Sequence, residues 1–219
     1  MFKAAIFDMD GVIIDSEPIY YKICSEFLNG LNVNMTKDEY YTYVGKPAEE
    51  MWKSLKKKYN LKESIEELVK INRENYINYL KTSTEEKLID GVMELMKSLY
   101  ENNIKLALAS STSLKNIYTV LDKFNLTKFF QVIVSGDDIK EGKTSPQIFL
   151  YTAEKLKAAP CECIVIEDSC LGINSAKKAG MKCIAIDNVN SGKQDRSSAD
   201  LIIKSFSDID YFKLCSICK

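Results

Sequence analysis

Two aspartates near the start of the chain, Asp8 and Asp10, are spaced so that one reaction could use both. They follow an apolar run at positions 4–7, which predicts a buried strand, and Gly11 directly follows Asp10. On an extended backbone, residues i and i+2 point to the same side, and a glycine lets the chain turn away sharply. Unpaired buried carboxylates are costly, so this pair indicates a bound metal or a reactant. The natural roles are nucleophile or metal ligand for one aspartate and general acid/base for the other.

A sheet must hold these aspartates, and the chain from position 90 onward predicts one. Helix and strand patterns alternate there, which is typical of a parallel sheet with helices on both faces. The polar stretch 188–200 predicts a surface loop. Strands are predicted at 104–109, 132–134, 163–166, 182–186 and, as an edge strand, 201–203, and helices at 91–102, 113–124, 146–157, 171–179 and 207–214.

The segment between the first strand and this sheet predicts a separate helical subdomain. Positions 16–81 carry long, charged segments of helical period with almost no strand signal. Thr36 and Glu39 have the spacing of a capping box, and Pro47 stands where a first helical turn would begin. Helices are predicted at 16–31, from 36, at 48–59 and at 64–80.

Polar residues follow four successive predicted strands, where ligands of open parallel sheets bind. Hydroxyl residues and then a helix follow the second strand, which suits a phosphate. Alone, each group fits a turn, a helix cap or a solvated side chain. Four such groups in succession favour a functional site. The residues are Asp8, Asp10, Ser110, Ser111, Thr112, Ser113, Lys143, Glu167 and Asp168.

These groups suit phosphoryl transfer. Asp8 and Asp168 could hold Mg²⁺, which usually accepts one or two carboxylates together with waters and phosphate oxygens. The metal and Lys143 would offset the charge that repels a carboxylate nucleophile from a phosphate, and Ser110 would hold phosphate oxygens. We expect Asp8 to attack phosphorus. We expect Asp10 to protonate the leaving oxygen and then to deprotonate the water that cleaves the aspartyl phosphate.

The composition excludes several other functions. The chain has no histidine, which removes histidine triads, histidine metal sites and histidine proton relays. Its 30 Lys and Arg nearly balance 31 Asp and Glu, so charge gives no case for nucleic acid. The apolar residues at 12–14 disfavour a calcium loop.

Cysteine usage and hydropathy predict a reduced, cytoplasmic chain. The seven cysteines are odd in number and scattered, without a secretory signal. The pairs Cys161 with Cys163 and Cys215 with Cys218 lie in differently patterned segments, which disfavours zinc. Since no apolar run approaches the roughly 20 residues of a membrane span, no membrane partner is expected.

The strand-end residues resemble the four motifs of the haloacid dehalogenase superfamily, in its phosphatase and beta-phosphoglucomutase-like branch. The resemblance implies a Rossmann-like core at 1–15 and 82–219, an inserted helical cap at 16–81, Mg²⁺ as cofactor and an aspartyl-phosphate intermediate. It implies phosphate contacts from Ser110, Ser111 and Lys143, and metal contacts from Asp8, Asp10, Glu167 and Asp168. The similar segments are Phe7-Asp8-Met9-Asp10-Gly11-Val12 with Asp15-Ser16-Glu17-Pro18, Leu108-Ala109-Ser110-Ser111, Gly142-Lys143 with Pro146, and Glu167-Asp168-Ser169 with Gly172-Ile173 and Ala179-Gly180-Met181.

Within that branch, the sequence favours a phosphatase. Sugar-phosphate mutases similar to this chain place a histidine at Tyr20, an arginine near Ala48, a lysine near Asn72 and an asparagine near Leu114, and this chain has none of them. Those groups hold a second phosphate or time the proton transfer. We therefore expect hydrolysis of a small phosphorylated metabolite, a sugar or polyol phosphate. Beta-phosphoglucomutase is the alternative, and the helical insertion disfavours a non-catalytic phosphoacceptor module of the receiver type.

The cap residues predicted to meet the substrate are Tyr20, Lys46 and Arg73, with Lys46 or Arg73 able to substitute for the missing cations. Trp52 and Tyr76 stand on predicted helices and are favoured as packing residues. We expect a monomer or a weak dimer.

Overall fold

The computed structural model describes residues 2–44, 46–139 and 142–217 and shows a six-stranded parallel sheet. The strand order is β3-β2-β1-β4-β5-β6, and all neighbours are parallel. The predicted fold class, an α/β protein with a Rossmann-like sheet and inserted helices, is confirmed, and the last strand lies at an edge as predicted. The strands are β1 (Ala4–Phe7), β2 (Lys105–Ala109), β3 (Val132–Val134), β4 (Cys163–Glu167), β5 (Lys182–Ile186) and β6 (Leu201–Ile203).

Alternate side chains of the central strands pack against two different helical layers. In β1, Ala5 and Phe7 belong to one hydrophobic cluster and Ala4 and Ile6 to another, and none of the four has exposed surface. Strands β2 and β4 alternate in the same way. A strand buried on both faces carries a continuous apolar run, which is the pattern that predicted β1.

Helices cover both faces of this sheet. Among the described helices after position 90, three contribute buried residues to the cluster that contains Phe7, and two contribute to the cluster that contains Ile6. The first three are α5 (Val92–Glu101), α6 (Leu114–Lys123) and α9 (Tyr211–Ile217), and the other two are α7 (Gln147–Leu156) and α8 (Cys170–Lys178).

Four helices lie between β1 and α5, and a hydrophobic cluster of their own holds them together. Its buried members include Leu28, Trp52 and Leu68. Trp52 and Tyr76 have no exposed surface, as predicted for packing residues. The helices are α1 (Glu17–Gly30), α2 (Lys37–Tyr41), α3 (Ala48–Tyr59) and α4 (Ile65–Thr82).

Two of these helices begin with the same sequence signal but are capped differently. At α4, Ser64 Oγ accepts from Glu67 N at 3.1 Å and the Glu67 carboxylate accepts from Ser64 N at 2.8 Å, which completes a capping box. At α2, Thr36 Oγ1 accepts from Glu39 N at 3.2 Å, but the Glu39 carboxylate accepts from the Tyr59 hydroxyl at 2.6 Å. The full capping box predicted at Thr36 is wrong because a tertiary contact takes the Glu39 side chain.

The inserted helices join the core at one end. Ile19 and Ile23 of α1 and Leu80 of α4 belong to the large cluster under the sheet. Lys123 of α6 donates to the carbonyls of Leu80 at 2.7 Å and Ser83 at 2.6 Å. These bonds satisfy carbonyls that the end of α4 leaves free. Because packing is continuous across this junction, the boundary between core and cap stays a prediction.

The last helix begins later than the predicted position 207. Phe206–Asp208 form a 3-10 turn in which Ser205 Oγ accepts from Ser207 N at 3.1 Å, and α9 starts at Tyr211. Ser205 rather than Ser207 therefore serves as the local cap.

Cys161 is exposed and Cys163 is buried, while Cys218 lies outside the described residues. Among the described helices, none is long and apolar enough to cross a membrane.

Candidate active site

The chain turns sharply after β1 and leaves Asp8 and Asp10 at the carboxyl edge of the sheet. Gly11 has a φ of +75°, and its amide donates to the carbonyl of Ile14 at 2.9 Å. A Cβ added at Gly11 would overlap the carboxylate of Asp168. Glycine is therefore required both for the turn and for the close approach of the chain after β4.

Lys143 connects the ends of β1 and β4. Its ammonium lies 2.6 Å from Asp8 Oδ1 and also contacts Glu167 Oε1. The 3-10 turn Gly142–Thr144 carries it. Burial alone would lower the pKa of Lys143, but the charges of Asp8 and Glu167 outweigh burial and raise that pKa. Lys143 is therefore a fixed cation beside Asp8.

Glu167 is a buried carboxylate with both oxygens held by the chain. Its Oε2 accepts from the backbone amides of Asp168 at 2.8 Å and Ser169 at 2.7 Å, while Oε1 contacts Lys143. A Cβ at Gly172 would overlap this carboxylate. Burial would raise the pKa of Glu167, but Lys143 and these hydrogen bonds lower it below its usual value. Glu167 is thus a stable anion in a fixed orientation.

Asp8, Glu167 and Asp168 form an acidic cluster that suits a divalent cation. One oxygen from each residue lies within 4.8 Å of the others. Burial, helped by neighbouring carboxylates, raises the pKa of Asp8 above its usual value and that of Asp168 to about 7. Three carboxylates facing Lys143 leave excess negative charge that a cation would offset, and carboxylate oxygens are ligands that Mg²⁺ prefers. The residues therefore fit Mg²⁺, although they do not identify the ion.

Hydroxyl groups from the loop after β2 hold Asp10. Thr112 Oγ1 donates to Asp10 Oδ2 at 2.7 Å, and Ser110 Oγ lies 3.5 Å from the same atom. Asp10 Oδ1 is buried and has no hydrogen-bond partner among the described residues. One oxygen is thus fixed while the other is available to a reacting group. Asp10 lies outside the acidic cluster, and its predicted part in metal binding stays a prediction.

The segment 188–200, predicted as a surface loop, has exposed residues such as Val189 and also contributes to this site. Ser191 is buried, with 1% exposure, and its hydroxyl contacts Asp168 Oδ2. Asn190 Nδ2 donates to Asp15 Oδ2 at 2.6 Å, and Tyr41 of α2 donates to Asn190 Oδ1 at 3.3 Å. The segment therefore links the acidic cluster to the start of the inserted helices. Some of its polar residues make these hydrogen bonds, and others, such as Lys193 and Ser197, are exposed to solvent.

A cavity of about 410 Å³ lies between the sheet edge and the inserted helices. The three predicted cap residues, Tyr20, Lys46 and Arg73, all line it. Tyr20 stacks on Tyr76 with ring centroids 4.3 Å apart, whereas Lys46 and Arg73 are exposed. On the core side, the lining residues that the sequence predicted are Asp8, Asp10, Ser110, Ser111, Lys143 and Asp168.

Sequence patterns assigned no role to three other residues that line this cavity. Glu17 stands in the first turn of α1, Asn116 in the first turn of α6, and Ser191 in the loop 188–200. Only Glu17 had a usable signal, since it lies in the segment that continues the first motif. Asn116 and Ser191 are recognisable only from tertiary structure.

The fold is that of an α/β enzyme, with carboxylates and a lysine gathered at the carboxyl edge of a parallel sheet. The chain belongs to the haloacid dehalogenase-like hydrolases, whose family model matches residues 5–186.

Individual relatives carry two different activities in their names. The phosphorylated carbohydrates phosphatase of Thermotoga maritima is 34% identical over 193 residues, covering 87% of this chain and 88% of that protein. The beta-phosphoglucomutase of Bacillus subtilis is 30% identical over 213 residues, covering 94% and 91%. A crystal structure of a haloacid dehalogenase hydrolase, family IA, variant 3, from Entamoeba histolytica has a TM-score of 0.86 at 26% identity and covers 99% of both chains.

Proposed function

We propose that this protein is a magnesium-dependent phosphatase that hydrolyses a small phosphorylated metabolite, a sugar or polyol phosphate, through an aspartyl phosphate. The observation that carries the proposal is the 2.6 Å contact between Lys143 and Asp8, beside two further buried acids at one end of the cavity. A cation in contact with a carboxylate nucleophile lowers the repulsion that a phosphate would meet there.

Asp8 is the proposed nucleophile. Its carboxylate lies at the end of β1, where the turn at Gly11 leaves it facing the ends of two neighbouring strands. Lys143 holds one oxygen, and Ser110 and Ser111 line the cavity where phosphate oxygens would bind. Attack by Asp8 on phosphorus would form the aspartyl phosphate and release the leaving oxygen.

Asp10 is the proposed general acid and base. Thr112 fixes its Oδ2, which leaves Oδ1 to give a proton to the leaving oxygen. The resulting carboxylate would then accept a proton from the water that attacks the aspartyl phosphate. The water oxygen would replace Asp8 on phosphorus and regenerate the enzyme. The i and i+2 spacing serves this sequence because both groups face one cavity.

Asp8 and Asp168 are the proposed Mg²⁺ ligands, with Glu167 and Asp10 as further members of the set. The metal would supply positive charge that stabilises the phosphoryl group in the transition state. Glu167, with both oxygens engaged, would hold Lys143 and the backbone after β4 in place.

The proposed substrate class is supported by a relative with a descriptive name and by the shape of the site. The relative from Thermotoga maritima is named as a phosphatase of phosphorylated carbohydrates. The cavity of about 410 Å³ is within the size range of small-molecule sites, and it is lined by polar groups on both the core and cap sides.

A phosphate-release assay tests the proposal. Purified protein with Mg²⁺ should release phosphate from members of a panel of sugar and polyol phosphates. Asp8→Asn should lower kcat/KM more than about a thousandfold, because the amide is a poor nucleophile of nearly the same shape. The matched control is Asp90→Asn, at an exposed aspartate that does not line the cavity. Activity of Asp8→Asn within tenfold of wild type would overturn the mechanism.

Beta-phosphoglucomutase is the second candidate, and the position of Lys46 and Arg73 favours it. Both cations line the cavity on the cap side, where a second phosphate would need positive charge. The Bacillus subtilis relative carries this name. Following the same panel by product analysis separates the two functions. Interconversion of glucose 1- and 6-phosphates without release of phosphate would replace the phosphatase by the mutase.

A further inference from the structure

Asn116 places an unpaired amide oxygen at the cavity. The residue lies in the first turn of α6, has 2% exposure and lines the cavity. Its Oδ1 is buried and has no hydrogen-bond partner among the described residues. A buried polar atom without a partner is destabilising, so it requires an explanation such as a bound ligand.

Asn72 presents a second amide oxygen of the same kind from the cap. It lies on α4, the cap helix that packs directly against α6, and it lines the same cavity. Its Oδ1 is also buried and unpaired within the part of the chain that the structure describes. Two unpaired amides, one from the core and one from the cap, thus line one cavity.

The partner that these amides require is a neutral hydrogen-bond donor. Phosphate and carboxylate groups offer acceptors, which an amide oxygen cannot pair with. An ammonium group also donates, but the donors that the proposed substrate, a sugar or polyol phosphate, carries are hydroxyl groups. A hydroxyl group is neutral, donates to an amide oxygen and can also accept from the amide nitrogen.

We propose that Asn116 and Asn72 bind hydroxyl groups of the leaving group and make the protein selective for polyhydroxylated phosphate esters over alkyl phosphates. This inference rests on the proposed phosphatase function and names the residues that set its substrate class. A site built around such hydrogen bonds rejects an analogue without the hydroxyl, since the buried oxygens then stay unpaired.

The test is a selectivity ratio measured on variants. The ratio is kcat/KM for the best substrate among hexitol, pentitol and aldose phosphates, divided by kcat/KM for n-hexyl phosphate. We expect a wild-type ratio well above one, and a decrease of about tenfold in Asn116→Leu and in Asn72→Leu. Asn116→Asp keeps an acceptor oxygen and should retain most of the ratio. Lys115→Ala, at an exposed neighbour that does not line the cavity, should match wild type.

Thermal unfolding without substrate supplies an independent readout. Replacing an unpaired buried amide by leucine should leave the melting temperature unchanged or raise it, so a fall in selectivity would not reflect misfolding. A wild-type ratio near one, or leucine variants that lower both kcat/KM values equally, would overturn this inference alone. Absence of phosphate release from every ester would overturn the proposed function as well.

Discussion

Two carboxylates at the core and cap sides of the site respond to their surroundings in opposite ways. Glu167, at the end of β4, has Lys143 and two backbone amides as partners, and its pKa lies below its usual value. Glu17, in the first turn of α1, accepts from the Tyr40 hydroxyl at 2.8 Å, and burial raises its pKa to about 8. Glu167 thus has a cation and amide donors as partners, whereas Glu17 has a neutral hydroxyl as its partner.

This difference separates the chemistry of the site from its selectivity. On the core side, Lys143, Glu167 and the backbone hold one another in place without a ligand. On the cap side, Oδ1 of Asn72 has no hydrogen-bond partner among the described residues, and the side chain of Arg73 is exposed. Groups that the protein does not pair internally are the ones that a substrate can engage. We therefore expect substitutions of Lys143 and Glu167 to change catalysis and folding together, and substitutions of Asn72 and Arg73 to have smaller effects.

Among the substitutions that test this contrast, replacing Lys143 should produce the largest effect. In Lys143→Met, kcat/KM for the best phosphate ester should fall about 10² to 10³-fold, because Asp8 loses the cation that offsets phosphate repulsion. The free energy of unfolding in EDTA should fall by about 3–5 kcal/mol, since the change leaves buried carboxylates without their counter-charge. Phosphate release and urea unfolding measure the two effects.

The control for this prediction is Lys97→Met, on the exposed surface of α5. Added Mg²⁺ should restore part of the stability of Lys143→Met, because it supplies positive charge to the same carboxylates. A loss of activity below tenfold, or a stability equal to that of the control, would show that the core side does not depend on this cation.

Removing the Ser191 hydroxyl should have the next largest effect. Ser191 contacts Asp168 Oδ2 and so orients a proposed metal ligand. In Ser191→Ala, we expect the Mg²⁺ concentration for half-maximal activity to rise about tenfold, with kcat at saturating Mg²⁺ near that of wild type. Ser197→Ala, at an exposed serine of the same segment, is the matched control. An unchanged Mg²⁺ dependence would mean that Ser191 only fills space.

Local sequence signals predicted the framework of this site well. The apolar run of β1 and the polar residues after each strand predicted that Asp8, Lys143 and Asp168 lie at one edge of the sheet. The reason is that the carboxyl ends of parallel strands meet at the same edge. Helix α3 has the predicted bounds, 48–59, since Pro47 marks its start and Asn60, with a φ of +53°, ends it. These features depend on neighbouring residues in the sequence.

The contacts that the sequence did not predict join residues that are distant in the chain. The Glu39 carboxylate does not complete the predicted capping box and instead accepts from the hydroxyl of Tyr59, twenty positions away. Ser191 is buried against Asp168, and Asn190 bonds Asp15 near the other end of the chain. A polar segment that satisfies buried partners has the same composition as one that faces water, so periodicity and turn propensity cannot separate the two.

Replacing Glu17 should produce the smallest of the predicted effects, and it tests the cap side of the comparison. Because its pKa in the folded protein is raised, the ionised form destabilises the fold. The stability that the protonated Glu17 carboxyl contributes is complete below the unfolded pKa near 4.5 and is lost as the pH rises through the folded pKa of about 8. Glu17→Gln stays neutral and can still accept from Tyr40, so it should match wild type at pH 5 and be more stable at pH 9. Since Glu17 is partly solvated, we expect the variant's free energy of unfolding at pH 9 to exceed that of wild type by about 1 kcal/mol. This corresponds to roughly 2 to 4 °C in melting temperature.

Thermal unfolding of both proteins from pH 5 to 9, in EDTA and in Mg²⁺, measures this difference. Asp168 also has a raised pKa, but it titrates in both proteins, so subtracting the two curves isolates Glu17. Glu74→Gln, at an exposed position of α4, controls for the loss of one negative charge. If the curves stay parallel across this range, Glu17 has a compensating partner, and the contrast with Glu167 does not hold. If they separate only in EDTA, the charge of the bound metal reaches Glu17, and the core and cap sides of the cavity share one electrostatic environment.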